Sequence, residues 1–202
     1  MTHPRRSTDP AVVVFDVDGV LIEPRFPRVL RERLGVTTAD AAEFFGGAFR
    51  HCLQGTADLH AELGPHLARW RWPHSTEAFI ELWLQTDADV HAPALAFAER
   101  LQAAGYRCVV ASNQERRRAT HLCALLPGFE RRFFSCDLGM CKPDPAFFTA
   151  VQRALDVAPH ALLLLDDQMQ NVNAAHAAGW HARECRIGED FAALARTCSL
   201  AV

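Results

Sequence analysis

What this 202-residue chain lacks already narrows its class. No apolar run approaches the roughly 18 residues of a membrane span, so no membrane partner is expected. The seven cysteines (Cys52, Cys108, Cys123, Cys136, Cys141, Cys185 and Cys198) are odd in number and include no C-x-x-C pair. That argues against a disulfide framework or a structural zinc site. Cys108 in "YRCVVAS" and Cys123 in "HLCALL" read as small buried hydrophobes. The ten histidines form no H-E-x-x-H or similar ligand pattern. Excess charge is also missing. The net charge is −3 with His neutral, so a charge-driven nucleic-acid binder is not expected. The short run Arg116, Arg117, Arg118 reads as a solvated helix face, with an anion-binding patch as the lesser alternative. Neither an internal repeat nor a low-complexity linker interrupts the chain.

The opening "MTHPRRSTDP" is polar, and the apolar run behind it ends in Asp, too short for a signal segment. A loose tail leading into a strand, in a cytoplasmic protein, is the expectation.

Three β-branched or leucine-rich runs read as buried parallel strands: residues 11–15, 106–112 and 161–167. Weaker strands are expected near 132–136 and 180–184. Between them lie helical stretches. "APALAFAERLQAAG" carries Pro93 in its first turn, and "DPAFFTAVQRALD" has Asp144 as N-cap and Pro145 at the first position. "MQNVNAAHAAG" ends at Gly179. This alternation implies an α/β fold: a Rossmann-like parallel sheet with helices on both faces. Residues 25–92 break the rhythm. They read as four helical segments, "FPRVLRERLG", "TADAAEFFGGAFRHCLQG", "ADLHAELGPHLARW" and "STEAFIELWLQTD". The expected organisation is therefore an α/β core domain of 1–24 and 93–202, with a helical domain of 25–92 inserted. Phe44, Phe45, Phe49, Phe79, Trp70, Trp72 and Trp83 are expected to form its core, one or two of them lining a pocket.

The chemistry concentrates at strand ends. Asp16 and Asp18 sit at the carboxyl end of the first strand, where open α/β sheets bind ligands. A calcium loop fails, because its sixth position is Leu21 and its twelfth Pro27. A simple Asp-Gly turn leaves Asp16 unexplained. The third strand also ends in a pair, Asp166 and Asp167. So many carboxylates converging on one spot require a cation, and oxygen ligands select a hard one, Mg²⁺. Ser112 and Asn113 end the second strand and can donate hydrogen bonds to an oxyanion. Lys142, in "GMCKPDPAFF", can send its ammonium inward. Together the groups describe phosphoryl transfer with a carboxylate nucleophile.

Four motifs in order, "FDVDGV" (15–20), "VVASN" (109–113), "CKPDP" (141–145) and "LLLDDQMQN" (163–171), resemble the haloacid dehalogenase (HAD) superfamily. The resemblance implies a helical cap inserted after the first strand. It also implies that Asp16 is the nucleophile and Asp18 the general acid/base, with its backbone carbonyl on Mg²⁺. Ser112, Asn113 and Lys142 would hold the phosphoryl group, Asp167 would ligate the metal and Asp166 would support it. Asn171 stands where many relatives carry another acid. The flanking sequence is similar to bacterial sugar-phosphate phosphatases and to the phosphatase domain of bifunctional epoxide hydrolases. Dehalogenases of the superfamily lack the second aspartate, since a halide leaving group needs no proton. The implied activity is a Mg²⁺-dependent phosphatase acting on a small-molecule phosphate ester through an aspartyl-phosphate. A phosphomutase and a non-catalytic phosphate-ligand-binding protein are the alternatives. A monomer or homodimer is expected. Arg25, Arg28, Arg50 and His51 are candidates to meet an anionic substrate, though exposed surface charge is their plainer reading.

Overall fold

The computed structural model of the chain describes residues 10–202. The tail expected at the start falls on residues 1–9, outside the described residues. Among the described residues, five strands form one parallel sheet: β1 (Val12–Phe15), β2 (Arg107–Ser112), β3 (Arg132–Phe134), β4 (Leu162–Asp166) and β5 (His181–Glu184). Their order is β3-β2-β1-β4-β5, so the first strand is central, flanked by β2 and β4. The register pairs Phe15 with Val110 on one side and with Leu165 on the other. The carboxyl ends of the three middle strands are therefore level, and whatever follows them in sequence meets in space.

Helices α1 (Phe26–Glu32), α2 (Thr38–Gly46), α3 (Phe49–Leu53), α4 (Leu59–Arg69) and α5 (Thr76–Thr86) follow β1. The remaining helices are α6 (Ala92–Ala103), α7 (Arg116–Leu125), α8 (Ser135–Leu138), α9 (Pro145–Leu155), α10 (Met169–Ala177) and α11 (Phe191–Thr197). Asp144 caps α9 by accepting from Ala146 N, with Pro145 at the first position, as its sequence predicts.

Strand alternation divides the core in two. Val13, Phe15, Val110 and Leu165 face one side with Phe97, Leu101, Leu122 and Phe191 of α6, α7 and α11. Val12, Val14, Val109 and Leu164 face the other with Phe147, Phe148 and Val151 of α9. All four residues of β1 are fully buried, each side chain stabilising the fold by about 2 kcal/mol. The strand ending in Asp16 is thereby fixed on both faces.

Helices α1–α5 pack around a separate apolar cluster that includes Phe26, Phe44, Leu63, Phe79 and Trp83. The run expected as one helix over "TADAAEFFGGAFRHCLQG" is two. Gly47 breaks it with φ −106° and ψ −108°, and a Cβ there would meet Glu43 O at 2.5 Å. Where the chain leaves and re-enters the sheet layer, the two connections touch: Ile22 bridges Val90, and His91 N donates to Leu21 O at 2.7 Å. Among the described residues, no helix is long and apolar enough to cross a membrane.

The cysteine expectation holds in part. All seven are free, and Cys108 is buried, with burial pushing its thiol up to about 12. Cys123, however, is exposed, because it lies on the outer face of α7.

Candidate active site

The carboxyl ends of β1, β2 and β4 deliver the acids and the hydroxyl to one place, and the loop between α8 and α9 brings the lysine. Lys142 Nζ lies 3.0 Å from Asp16 Oδ1 and 2.6 Å from Asp166 Oδ2, and all three groups are buried. Burial alone would lower the ammonium, but the two carboxylates outweigh it and hold Lys142 above its ordinary value. Asp16 is pushed up to about 7. Its burial disfavours the charge, Lys142 partly offsets that, and Asp166 adds repulsion. The Ser112 hydroxyl donates to Asp16 and favours its charged form. Val17 N donates to Asp16 Oδ1 at 2.8 Å and sets the rotamer.

Asp166 is saturated. Its Oδ1 accepts from Gln168 N at 2.9 Å and from Asn171 Nδ2 at 3.0 Å. Its Oδ2 accepts from Lys142 and from Asn171 Nδ2 at 3.2 Å. A carboxylate offers about four lone-pair sites, so this one is committed to holding Lys142. Asn171 thereby has a structural part, orienting Asp166.

Asp167 is half-buried, and burial raises it above the usual carboxylate range. Its Oδ2 accepts from Gln168 Nε2 at 2.8 Å. Gly19 presses against it: at φ +78° a Cβ there would lie 2.6 Å from the Asp167 carboxyl, so only glycine fits this close approach. Oxygens of Asp16, Asp166 and Asp167 all lie within 4.8 Å of one another. Three carboxylates face one lysine, leaving an excess of negative charge in a set of hard oxygen donors. That composition fits a Mg²⁺ ion.

Asn113 is held by the lysine loop. Its Oδ1 accepts from Lys142 N at 2.8 Å, and its Nδ2 donates one N–H to Lys142 O at 2.9 Å, which leaves its second N–H for the oxyanion role expected from sequence. Both ends of the side chain are engaged in pinning the lysine loop to the tip of β2.

Arg118 departs from the sequence expectation. It does not belong to a solvated face but is buried at 4 % exposure. Its Nη2 lies 2.5 Å from Asp18 Oδ1 and its Nη1 3.2 Å from Asp87 Oδ2. Asp87, the residue after α5, accepts from Arg25 N at 2.7 Å and Phe26 N at 2.8 Å. One arginine thus joins Asp18 to both connections of the helical insert. Burial raises Asp87, while the Phe26 N–H and Arg118 oppose it. Arg116 and Arg117 do lie at the surface, paired with Asp137 and Glu77.

Gln114, unremarked in sequence, is the second partner of Asp18. Its Nε2 donates to Asp18 Oδ2 at 2.8 Å and to Ser112 Oγ at 2.9 Å. The only signal for it was its place just beyond the strand tip.

A family profile described as haloacid dehalogenase-like hydrolase matches residues 10–179. The chain belongs to this family. Solved structures agree on the fold. A HAD family enzyme from Bacteroides thetaiotaomicron, in complex with magnesium and inorganic phosphate, is 20 % identical. The match has a TM-score of 0.78, over 92 % of this chain and 98 % of that one. A HAD-like hydrolase from Porphyromonas gingivalis is 21 % identical with a TM-score of 0.74, covering 93 % and 97 % of the two chains. A dehalogenase solved with an intermediate complex is 16 % identical with a TM-score of 0.69, covering 96 % and 98 %. This HAD hydrolase therefore shares its architecture with an enzyme that holds magnesium and phosphate and with a dehalogenase, and the fold alone does not decide its chemistry.

Proposed function

We propose that this HAD hydrolase is a Mg²⁺-dependent phosphatase of small phosphomonoesters. The observation that carries the reading is the carboxylate of Asp18. It stands two residues beyond Asp16, is 39 % exposed, and is held by Arg118 and Gln114. Departure of an alkoxide needs a proton donor at that point, whereas departure of a halide does not. The Bacteroides relative with bound magnesium and phosphate supports the same side.

In the proposed reaction, a carboxylate oxygen of Asp16 attacks phosphorus and the P–O bond to the alcohol breaks. Asp18, entering this step as the neutral acid, gives its proton to the leaving oxygen and is left as the carboxylate that Arg118 and Gln114 hold. Asp18 then takes a proton from water as the water oxygen attacks the phosphorus of the aspartyl-phosphate. The P–O bond to Asp16 breaks and inorganic phosphate is released. Lys142 neutralises charge on the phosphoryl oxygens, and Ser112 donates to them. Asp16, Asp167 and the Asp18 carbonyl would hold Mg²⁺, with Asp166 completing the acidic cluster. When bound, the cation screens the converging negative charges. Residues 25–92 act as a lid that limits bulk water. A small soluble ester, without nucleic acid or membrane, is the partner this enclosure suits.

The test sets the two chemistries of the family side by side. With Mg²⁺ present, phosphate release from phosphomonoesters is expected, and no halide release from 2-haloacids. Halide release alone would reverse the assignment.

A further inference from the structure

The sequence likeness points to sugar phosphates, but the cavity beside Asp18 has another character. About 210 Å³ lies between the sheet tips and the helical insert, with Asp18, Asn113, Gln114 and Arg118 as its floor. Its roof is aromatic: Phe26, Phe45, Phe49 and Trp83. Phe26 stacks on Trp83 at 5.2 Å between ring centroids, and Phe45 and Phe49 meet edge-on at 5.2 Å. Both Phe45 and Phe49 remain half-exposed, so aromatic surface is left facing the space.

The floor is polar, and most of its groups are engaged within the protein, although Arg118 Nε is buried without a hydrogen-bond partner among the described residues. Arg118 is engaged by Asp18 and Asp87, Gln114 by Asp18 and Ser112, and Asn113 by the Lys142 main chain. A polyhydroxylated group entering here would give up water and meet ring faces. Arg25, Arg28, Arg50 and His51 do not help it, since none of them is among the described residues lining this cavity. Arg25 is instead paired with Glu23 and Asp89.

Size limits how much can enter, without choosing between an aromatic and a sugar ring. An apolar cavity of about 150 Å³ accepts benzene, so this one takes a single ring with a short linker. A larger, open and more polar cavity is lined by Asp167, Gln168, Glu23 and Arg186. It does not include Asp18. The leaving oxygen must reach the proton donor, and so the alcohol part of the ester belongs in the aromatic cavity.

We propose that the preferred substrate is a phosphomonoester whose alcohol part is apolar and about one aromatic ring in size, held between the Phe45–Phe49–Trp83 roof and Asp18. This rests on the phosphatase reading above and narrows its substrate class.

The experiment compares kcat/KM for phosphate release from benzyl phosphate, glucose 6-phosphate and glycerol 3-phosphate, using the full chain with Mg²⁺. All three release a primary alcohol, so intrinsic reactivity is matched. Benzyl phosphate is expected to lead by about tenfold or more. Phe45→Ala and Phe49→Ala, made separately, are each expected to shrink that lead by about threefold or more. A role in packing alone would lower all three substrates alike, and that result overturns the assignment of the roof. A benzyl phosphate lead below about tenfold, or preference for either sugar-type ester, overturns the proposal while the phosphatase reading stands. No phosphate release from any ester overturns both.

Discussion

Arg118 Nη2 donates to Asp18 Oδ1 at 2.5 Å, across 100 residues of sequence, and the same guanidinium holds Asp87 at the exit of the helical insert. The proposed proton donor is therefore tied to the helices above it by a buried cation. Removing that cation leaves Asp87 buried without its charge partner. Arg118→Met is expected to lower stability by about 3 kcal/mol in chemical denaturation. With Asp18 no longer oriented, kcat should fall on the order of 10²-fold. Arg118→Lys should recover part of the stability but less of kcat, since one ammonium cannot span both carboxylates as the fork does.

Asp18→Asn removes the proton donor and keeps the shape. Turnover of an alkyl phosphate should drop by roughly 10²–10⁴-fold. The loss should be smaller on p-nitrophenyl phosphate, whose leaving group departs without help. Equal losses on the two esters would assign Asp18 to binding rather than proton transfer.

Asn171 donates to both oxygens of Asp166, which in turn grips Lys142. Asn171→Ala is expected to cost about 2 kcal/mol, the usual loss of a buried hydrogen bond to a charged group. Asn171→Asp should be worse without metal, because it sets a second acid against a fully buried one. Added Mg²⁺ should raise the melting temperature of Asn171→Asp more than that of the wild type.

Asp16 titrates near 3.8 when free and is pushed up to about 7 in the fold, chiefly by burial. Folding thus favours its protonated form. This contribution to metal-free stability is fully present below about pH 4 and is lost as pH rises through about 7. A metal ligand must be ionised, so the sign reverses for Mg²⁺. Apparent Mg²⁺ affinity, followed by calorimetry, should weaken as pH falls below about 7, by up to about tenfold per unit. A flat affinity across that range would mean that Asp16 does not ligate the ion.

The sheet was legible because its signals are local. Apolar runs that end in acids read as buried strands, and Asp144-Pro145 reads as a helix start from two adjacent residues. Asp16, Ser112, Asp166 and Asp167 could be gathered because each lies at a strand end, and parallel strands present those ends together; Lys142, on the loop between α8 and α9, is legible from the Pro143-Asp144-Pro145 turn beside it. What stayed hidden depends on distance. Arg118 sits in a run of three arginines, and nothing near it in sequence distinguishes it from its exposed neighbour Arg116 or its half-buried neighbour Arg117. Its burial is decided by Asp18 and Asp87, 100 and 31 residues away. The pinning of Asn113 to Lys142 spans 29 residues and is likewise invisible in either motif. The break at Gly46-Gly47 was local, but the apolar spacing on both sides continued through it.

The most direct test of the central claim is p-nitrophenyl phosphate hydrolysis by the wild type and Asp16→Asn, with Mg²⁺ and after chelation by EDTA. The proposed chemistry predicts hydrolysis that stops in EDTA, returns with excess Mg²⁺, and is abolished in Asp16→Asn although its circular dichroism matches the wild type. Full activity in EDTA, or substantial turnover by Asp16→Asn, would contradict it.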